Sequence, residues 1–301
     1  MSKKIAISVV IPNWNGEPLL KKNLPSVVEA KNYSANHIME IVVVDDGSFD
    51  GSVTLLERDF AKEVRLIKHK INRGFSNAVN TGARFSEGTH ICLLNTDVVP
   101  DTNFLAHSIE YLADENVFGI TLNEGNFGPA TALFDGYFKH SSKEPKNEIQ
   151  DTLWISGGSG VFSKSIWKEL KGMDYELFSP FYWEDVDLGY RAHKRGYRLL
   201  WDPKAKVDHR HESVINSSNF RKQYLNIIKE RNELLFIWKN ITSKNLTKKH
   251  RDALLSRLKS HPGYIKVVLA ALLKLPAVRR KRKREIEQSS VSDEAIFTKF
   301  S

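Results

Sequence analysis

A short segment of the chain combines three carboxylates with a preceding aromatic run. Glu184, Asp185 and Asp187 follow Phe181-Tyr182-Trp183 and stand where a helical pattern begins. Aromatic surroundings desolvate a carboxylate and raise its pKa, which suits a general base, whereas a helix N-terminus stabilises the anion. The same three residues would serve equally well as caps of the helix. The segment alone therefore leaves a catalytic and a structural interpretation open.

The elements that must position these residues begin with an alternation of β-branched runs and amphipathic spacing. Strands are predicted at 5–11, 40–44, 64–67, 90–94 and 117–121, and helices at 18–30, 50–60, 74–86 and 101–113. Such alternation is typical of a mostly parallel sheet wrapped by helices. Open sheets of this class bind ligands beyond the carboxyl ends of their strands. We therefore expect the polar residues that follow these strands to converge.

Several of those polar residues have the chemistry of a nucleotide and metal site. Asp46 ends the second strand and can accept hydrogen bonds from a base or ribose, although a capped turn explains it equally well. Asp97 ends the fourth strand and can ligate Mg²⁺ or Mn²⁺ bound through a diphosphate. His209 or His211, after a later strand, can complete that site, but isolated histidines are more often structural. Each signal is weak alone.

A denser cluster lies between Asn72 and Gly82. Arg73 offers a bidentate donor fork, and the amide of Asn77 adds a polar group to a helix that otherwise packs. A helix capped only for stability does not need this many amides. The cluster favours a function over a purely structural role.

Taken in order and spacing, these segments resemble the family 2 inverting glycosyltransferases of the GT-A fold. The resemblance covers roughly residues 5–240. It is carried by the segments Val9–Gly16, Val42–Ser48, Asn72–Phe75, Leu93–Asp97 and Glu184–Leu188, with Arg195-Gly196-Tyr197 and His209 downstream. The resemblance implies an α/β fold of GT-A type, with a Rossmann-like, mostly parallel sheet flanked by helices and a C-terminal helical extension.

The resemblance also implies a role for each matching residue. Asp185 is expected to be the catalytic base, and Asp97 with His209 to hold the divalent cation. The nucleotide-sugar is expected to contact Pro12, Asn15, Asp46, Arg73, Asn77, Asn95 and Asp97. Because aromatic faces stack on sugar rings, Trp183 and Glu184, with Gly158 of the 157–160 loop, are separate candidates for contact with the acceptor, although simple core packing explains that region equally well. The chain departs from the family's DxD-type pattern at Asn95. One carboxylate fewer at that site predicts a lower metal affinity.

The implied reaction is metal-dependent, inverting transfer of a sugar to a hydroxyl of a saccharide acceptor. Leu94-Asn95-Thr96-Asp97-Val98 and the Trp183–Leu188 segment are similar to rhamnosyltransferase-like members, which favours dTDP-rhamnose as donor, with a UDP-sugar as the other candidate. A lipid-linked acceptor in cell-surface polysaccharide assembly is expected. Two alternatives are a nucleotidyltransferase and a non-catalytic, membrane-associated protein that binds nucleotide-sugars.

Charge divides the chain. Of the formal net charge of +9, residues 244–301 carry 15 Lys and Arg against 5 Asp and Glu, so the rest is close to neutral. We predict a catalytic domain at 1–241, a basic amphipathic extension at 242–284 and a disordered tail at 285–301. The apolar 265–275 run and the basic 279–284 run predict attachment to an anionic membrane surface, and the alternative is a C-terminal helix packed on the catalytic domain with a solvated basic end. Without aromatic interleaving, the basic run does not predict nucleic-acid binding.

The cellular compartment follows from simple features. Cys92 is the single cysteine, which excludes an intrachain disulfide and suits a reducing compartment. No apolar run reaches the roughly 18 residues that a membrane span needs. We expect a cytoplasmic protein, peripheral on the inner face of the cell membrane.

Overall fold

The computed structural model describes residues 4–125, 127–210 and 222–301. The strands are β1 (Ile7–Asn13), β2 (Ile38–Asp45), β3 (Arg65–Lys68), β4 (His90–Leu94), β5 (Val98–Pro100), β6 (Val117–Asn123), β7 (Ala130–Phe134), β8 (Phe138–Ser142), β9 (Gln150–Asp151), β10 (Ser159–Ser163) and β11 (Arg198–His209). The α-helices are α1 (Glu17–Asn32), α2 (Ser52–Asp59), α3 (Phe75–Phe85), α4 (Ile109–Leu112), α5 (Lys164–Leu170), α6 (Tyr175–Phe178), α7 (Glu184–Lys194), α8 (Lys222–Asn240), α9 (Lys244–Ser260), α10 (Ile265–Leu272), α11 (Leu275–Gln288) and α12 (Asp293–Phe300).

A mixed sheet forms the centre of the described structure. Its strand order is β3-β2-β1-β4-β10-β6-β11-β5, with β9 paired to β11, while β7 and β8 form a separate hairpin. Strands β3, β2, β1 and β4 are parallel to one another, as predicted. β10 runs antiparallel to both β4 and β6 and joins the two parallel parts. The α/β prediction is confirmed, with one antiparallel strand in the middle that the alternation did not reveal.

The sheet is buried on both faces, which explains its continuous β-branched strands. Val9 and Ile11 of β1 pack in the cluster that contains residues of α1 and α2. Val10, which points to the other face, packs with Ala78 and Val79 of α3. Alternate residues of one strand therefore hold two helix layers in place, and the carboxyl ends of the strands are fixed between them.

Some predicted elements differ from the structure. Only α4 is regular helix within the predicted 101–113 helix, because hydrogen-bonded turns occupy its first part. The two strands predicted at 197–201 and 204–207 form one strand, β11, whose register against β6 shifts between Trp201 and Lys206. Pro203 lies in that shift and has no N–H to donate to the ladder. The predicted start of α8, at Asn219, lies outside the described residues.

The C-terminal helices pack on α7, α8 and the β7–β8 hairpin through an aromatic core. Tyr190 of α7 lies 5.3 Å from Phe236 of α8 and 5.9 Å from Phe297 of α12, measured between ring centroids. Phe138 of β8 contacts the same two phenylalanines. The segment after residue 241 is therefore joined to the helix that carries Asp185.

The prediction of disorder from residue 285 is wrong. Helix α12 occupies this region, and its Ile296, Phe297 and Phe300 are buried. The polar composition of 285–295 concealed it, because the apolar residues that anchor the helix come only at the end. Within the described residues, no helix combines the length and apolarity that crossing a membrane requires.

Candidate functional site

A cavity of about 380 Å³ opens where β1, β2 and β4 end. Four of the predicted nucleotide-sugar residues line it: Pro12 of β1, Asp46 after β2, and Asn95 and Asp97 after β4. Phe75 at the start of α3 and Phe181 before α7 supply apolar walls. The strand-end residues thus converge as the sequence predicted, and we refer to this space as the donor cavity.

Asp46 organises one wall of the donor cavity. Its carboxylate accepts the backbone N–H groups of Arg73 at 3.0 Å and Gly74 at 2.8 Å, and lies 2.6 Å from Nδ1 of His69. Gly74 adopts a φ of +87°, a conformation that favours glycine. Asp46 therefore fixes the loop that leads into α3 as well as lining the cavity.

Asn15, Arg73 and Asn77 are not among the described residues that line the donor cavity. Asn15 instead accepts the N–H of Phe49 through its side chain and donates its own N–H to Ser48. The amide of Asn77 donates to the carbonyl oxygen of Arg73 at 2.7 Å. The polar groups of Asn15 and Asn77 thus hold the loops at the rim of the cavity.

Trp14, Asn72 and Tyr224 also line the donor cavity, and the sequence did not single them out as site residues. Trp14 and Asn72 lie inside the segments that carry the family resemblance, so the matching residues next to them could have indicated that they belong to the site. Tyr224 comes from α8, far along the chain, and no local pattern connects it to the strand ends.

Asp97, which lines the donor cavity, lies beside His209. His209 Nε2 is 3.5 Å from Asp97 Oδ1, and its Nδ1 is 3.0 Å from Glu124 Oε1. Burial lowers the pKa of His209, but the two carboxylates outweigh burial and raise that pKa to about 9. Glu124 follows β6 directly, so the strand-end rule that indicated Asp97 applies to it too. His211 lies outside the described residues.

The Gly157-Gly158 segment separates the donor cavity from α7. A Cβ at Gly158 would lie 2.7 Å from Asn95 Nδ2 and 3.3 Å from His209 Cε1. A Cβ at Gly157 would lie 3.4 Å from the Cβ of Asp185. Gly158, which we predicted to contact the acceptor, thus lies beside Asn95 and His209, which we predicted for the donor and the cation.

Asp185 stands at the first turn of α7 with its carboxylate held by backbone donors. Oδ1 accepts the N–H of Val186 at 2.8 Å, and Oδ2 accepts the N–H of Gly157 at 3.3 Å. Burial raises the pKa of Asp185 and the two hydrogen bonds oppose that effect, with a net rise. A partly buried carboxylate with a raised pKa has the properties of a general base.

The backbone before α7 is strained and is held by a residue of α8. Tyr182 and Trp183 have φ values of +74° and +78°, which side-chain-bearing residues rarely adopt. Asn232 Nδ2 lies 2.9–3.0 Å from the carbonyl oxygens of Phe178, Phe181 and Tyr182. Helix α8 therefore fixes the turn that delivers Glu184 and Asp185.

Glu184 and Trp183 line a second cavity, of about 470 Å³, together with Asp185. Burial raises the pKa of Glu184 well above its usual range, and the charge of Asp185 adds to the effect. Its Oε2 atom is buried and has no hydrogen-bond partner among the described residues. The predicted acceptor residues Trp183 and Glu184 therefore occupy one space with the predicted base.

Asp187, the third carboxylate of the segment, is fully buried in an ion network. Lys239 Nζ donates to its two oxygens at 2.7 and 2.9 Å, and Arg191 Nε donates at 2.8 Å. Lys239 also donates to Asp174 at 3.0 Å, and Lys281 of α11 pairs with Asp174 at 2.7 Å. Asp187 is a structural residue, and its network ties α7 to α6, α8 and α11.

Comparison with known proteins identifies the family. The sequence pattern described as glycosyl transferase family 2 matches residues 8–165, just over half of the chain. The chain belongs to this family. The matched range includes the donor-cavity residues Pro12, Asp46, Asn95 and Asp97, and it ends before the segment that contains Asp185.

Curated relatives of this family 2 protein are distant. The chain is 24% identical over 212 residues to a probable glycosyltransferase, YdaM, of Bacillus subtilis, covering 66% of this chain and 49% of that protein. It is 25% identical over 228 residues to the pre-mycofactocin glycosyltransferase of Mycobacterium tuberculosis, covering 72% and 45%. The chain thus spans about half the length of these relatives.

Solved structures of the same fold confirm the GT-A architecture. GalNAc-T7, solved with UDP, GalNAc and Mn²⁺, matches with a TM-score of 0.63 and 16% identity, over 88% of this chain and 58% of that one. The mannosyltransferase PcManGT of Pyrobaculum calidifontis, in complex with GDP-Man and Mn²⁺, matches with a TM-score of 0.56 and 16% identity, over 95% and 86%. At this identity the likeness shows the fold alone.

Proposed function

We propose that this protein is an inverting glycosyltransferase that moves a sugar from a nucleoside diphosphate sugar to a hydroxyl of a saccharide acceptor. One observation carries the proposal. Asp185 lines the second cavity, and in the glycine partition beside it Gly157 lies against Asp185 while Gly158 lies against Asn95 and His209 of the donor side. A base at the edge of this partition, within two residues of the donor side, suits a single in-line displacement in which acceptor and donor meet beside Asp185.

The reaction would proceed in one step at this partition. Asp185 accepts the proton of the acceptor hydroxyl while that oxygen forms a bond to the anomeric carbon. The bond from the anomeric carbon to the diphosphate oxygen breaks, and its electron pair leaves with the nucleotide. Attack from the face opposite the leaving group inverts the configuration, as in inverting glycosidases, where water takes the place of the acceptor.

Asp97 and the residues beside it fit a divalent cation. Asp97 Oδ2 is buried and has no hydrogen-bond partner among the described residues, so an oxygen ligand is available there. Bound Mg²⁺ or Mn²⁺ would offset the charge of the departing diphosphate. His209 and the Asn95 amide are the other candidate ligands, and His209 must lose a proton to bind metal.

This set of ligands is small. No group of three or more His, Cys, Asp or Glu side chains in the described ranges is arranged as a complete metal site. Mg²⁺ commonly binds through one or two carboxylates together with substrate phosphates. We therefore expect the cation to bind with the nucleotide-sugar and only weakly without it.

The donor is proposed to be dTDP-rhamnose or a UDP-sugar. The resemblance of Leu94–Val98 and Trp183–Leu188 to rhamnosyltransferase-like members supports the first. The GT-A structures that match this chain include one with UDP and one with GDP-Man, which supports nucleotide diphosphate sugars in general.

A thermal-shift screen of nucleotide-sugars with Mg²⁺ or Mn²⁺, followed by a nucleotide-release assay, tests the proposed function. A donor at 100 times its Kd stabilises the folded state by about 2.7 kcal/mol. We expect one nucleotide class to raise the melting temperature in the presence of the cation and to be consumed when an acceptor is added. Binding without release would support a non-catalytic protein, and release of diphosphate from a nucleoside triphosphate would support a nucleotidyltransferase.

The acceptor is proposed to be lipid-linked and the protein to lie on the inner face of the cell membrane. Ile265, Leu269 and Leu273 are exposed at four-residue spacing on and just after α10. Lys266 and Arg279 are exposed nearby in sequence, and each Lys or Arg near an anionic surface contributes about 1 kcal/mol. This apolar and basic surface, which we call the α10 face, supports peripheral binding.

The structure narrows which cations are available to lipid. Arg280 pairs with Glu176 at 2.6 Å, Lys281 pairs with Asp174, and Arg282 donates to the carbonyl oxygen of Trp238 at 2.9 Å. Arg284 also pairs with the buried Glu285 at 3.4 Å, so four residues of the six-residue basic run bind protein groups. We therefore propose that Arg279, Lys283 and the residues around α10 contact lipid, rather than the entire basic run.

Point substitutions test the α10 face better than removal of residues 242–301, which would expose the aromatic core around Tyr190. We expect Leu269→Asp combined with Leu273→Asp to abolish sedimentation with vesicles of phosphatidylcholine and phosphatidylserine. Leu255→Asp, at an exposed leucine of α9, is the matched control and should sediment like the wild type. Unchanged sedimentation of the double variant would refute the membrane proposal.

A further inference from the structure

Glu124 is a partly buried carboxylate to which the proposed mechanism gives no role. It follows β6 at the carboxyl edge of the sheet, and its side chain is only 14% exposed. Its Oε1 atom accepts hydrogen bonds from Ser159 Oγ at 2.5 Å and from Ser156 Oγ at 3.3 Å. The same oxygen lies 3.0 Å from His209 Nδ1. One carboxylate oxygen therefore contacts both the segment around the glycine partition and the histidine beside Asp97.

We infer that Glu124 is a positioning residue, which directs His209 Nε2 towards the cation at Asp97 and ties His209 to the glycine partition. The inference rests on the proposed function, since it concerns the same metal-dependent reaction. The sequence did not single out Glu124 as a site residue. Its role is indicated by the three side-chain groups that meet its Oε1 atom.

The contact with Glu124 determines which nitrogen of His209 is presented to Asp97. A carboxylate beside one nitrogen of an imidazole holds a proton on that nitrogen and leaves the lone pair on the other. In His209 the lone pair is then on Nε2, which lies 3.5 Å from Asp97 Oδ1. Two atoms that both carry lone pairs repel each other at this distance, and a bound proton or a divalent cation relieves that repulsion. Glu124 thus gives His209 the polarity that a metal ligand needs.

The two serines connect the same carboxylate to the glycine partition. Ser156 and Ser159 stand immediately before and after the two glycines, so Glu124 holds this segment at both ends. The N–H of Ser156 also donates to Thr121 Oγ1 at 3.1 Å, which anchors the segment to β6. Because the partition lies against Asp185 on one side and against the donor side on the other, a change at Glu124 should affect both.

Binding of Mn²⁺ to the full-length protein, with UDP, dTDP or GDP present, tests the inference without turnover. Electron paramagnetic resonance distinguishes free from bound Mn²⁺. We expect Glu124→Gln to weaken Mn²⁺ affinity by about 10- to 100-fold, the usual effect of changing the carboxylate behind a metal-binding histidine. The glutamine oxygen can still accept both serine hydroxyls, so the segment keeps its hydrogen bonds.

The chain offers a matched control for this substitution. Glu110 lies 4.0 Å from His107, and its side chain is 68% exposed. Glu110→Gln therefore makes the same change beside a histidine outside the site and should bind Mn²⁺ like the wild type. If Glu124→Gln does not fold, Glu124→Asp takes its place. It keeps the charge but withdraws the carboxylate from His209 by one methylene group, so it should also weaken Mn²⁺ affinity.

Pulsed electron paramagnetic resonance reports whether His209 itself binds Mn²⁺, because the nitrogen of a bound imidazole modulates the Mn²⁺ signal. The wild type should show this modulation, His209→Ala should lack it, and Glu124→Gln should show it weakened. A carboxylate with only a structural role would change the stability of the protein without changing the ligands of the ion.

Replacement of both serines tests the link to the glycine partition. Ser156→Ala combined with Ser159→Ala leaves the cation ligands unchanged but frees Glu124 from the segment. We expect Mn²⁺ affinity to fall by about fivefold, the effect of one lost hydrogen bond. Ser163→Ala combined with Ser165→Ala is the control, since these serines contact each other at the other end of β10, 3.0 Å apart.

The outcomes separate this inference from the proposed function. A wild type that binds Mn²⁺ with none of the three nucleotides overturns both the inference and the metal-dependent reaction. A wild type without nitrogen modulation, or a Glu124→Gln variant with wild-type affinity, overturns the inference alone, and the transferase stands if a nucleotide-sugar is consumed. Wild-type affinity in the Ser156 and Ser159 double variant overturns the link to the partition.

Discussion

Gly157 donates its backbone N–H to the carboxylate of Asp185 at 3.3 Å, and the next residue, Gly158, lies against Asn95 and His209. One dipeptide therefore touches both the proposed base and the proposed diphosphate site. Because neither glycine has a side chain, the two sites approach more closely than any other residue would allow. Catalysis in this protein is predicted to depend on that short backbone partition.

Asp185→Asn is predicted to stop turnover and leave donor binding intact. The amide oxygen can still accept the N–H of Gly157, but an amide cannot take a proton from the acceptor hydroxyl. The loss should be about 10²–10⁴-fold in kcat, measured by nucleotide release, with the donor Kd from isothermal titration unchanged. Asp59→Asn, at an exposed aspartate of α2, is the control. Turnover close to that of the wild type would remove Asp185 from the role of base.

The pH profile should report the same group. Burial raises the pKa of Asp185, so its basic form is lost as pH falls through a value above the ordinary 3.9 or so. We expect kcat/KM to fall as pH decreases, with a midpoint above that value. At higher pH, ionisation of Asp185 should cause no further change in kcat/KM. Circular dichroism at each pH separates this fall in kcat/KM from unfolding. A midpoint at or below the ordinary value contradicts a buried base.

The convergence of Asp46 and Asp97 could be predicted from the sequence because it follows from the class of sheet alone. Parallel strands place their carboxyl ends at one edge, so residues far apart in the chain meet there. The catalytic assignment of Asp185, by contrast, came from the family resemblance, since a capping interpretation fitted the same residues. The structure distinguishes the three carboxylates, because Asp187 forms buried ion pairs while Glu184 and Asp185 line a cavity.

The contributions of α8 could not be predicted. Lys239 and Asn232 appear in the sequence as parts of an amphipathic helix, and the partners described above are between 50 and 65 residues away. The antiparallel direction of β10 could not be predicted for a related reason. Pairing direction is set by the path of the chain between strands and is not encoded in the residues of the strand itself. The prediction of a disordered tail was wrong because only three apolar residues of α12, packed against the aromatic core, anchor it.

Gly158→Ala is predicted to impair donor and metal binding through a steric clash. The new methyl group would lie 2.7 Å from Asn95 Nδ2 and 3.3 Å from His209 Cε1, so both side chains must move. Overpacking of this kind costs about 1–3 kcal/mol, and we expect the donor-induced thermal shift with Mn²⁺ to fall accordingly. Gly263→Ala is the control, since nothing lies within 4 Å of its Cβ position. A variant that binds donor like the wild type would show that Asn95 and His209 do not contact it.

Lys239→Met is predicted to be among the most destabilising single substitutions in the chain. Lys239 is fully buried and pairs with Asp187 at 2.7 Å and Asp174 at 3.0 Å, so its removal leaves carboxylates buried without their main cation. Breaking a buried pair in this way costs about 3–5 kcal/mol, measured as the loss of unfolding free energy in urea. Lys68→Met makes the same change at an exposed pair with Glu57 and should cost no more than about 1 kcal/mol.

The same network gives stability a defined dependence on pH. Burial raises the pKa of Asp174, but Lys239 and Lys281 outweigh it and hold that pKa well below its usual range. A depressed pKa contributes stability above the unfolded value of about 3.9 and loses it as pH falls towards the folded value. We therefore expect the wild type to lose more stability than Lys239→Met between pH 5 and roughly pH 3. If the two proteins instead lose the same unfolding free energy over this pH range, Lys239 does not stabilise the Asp174 and Asp187 anions.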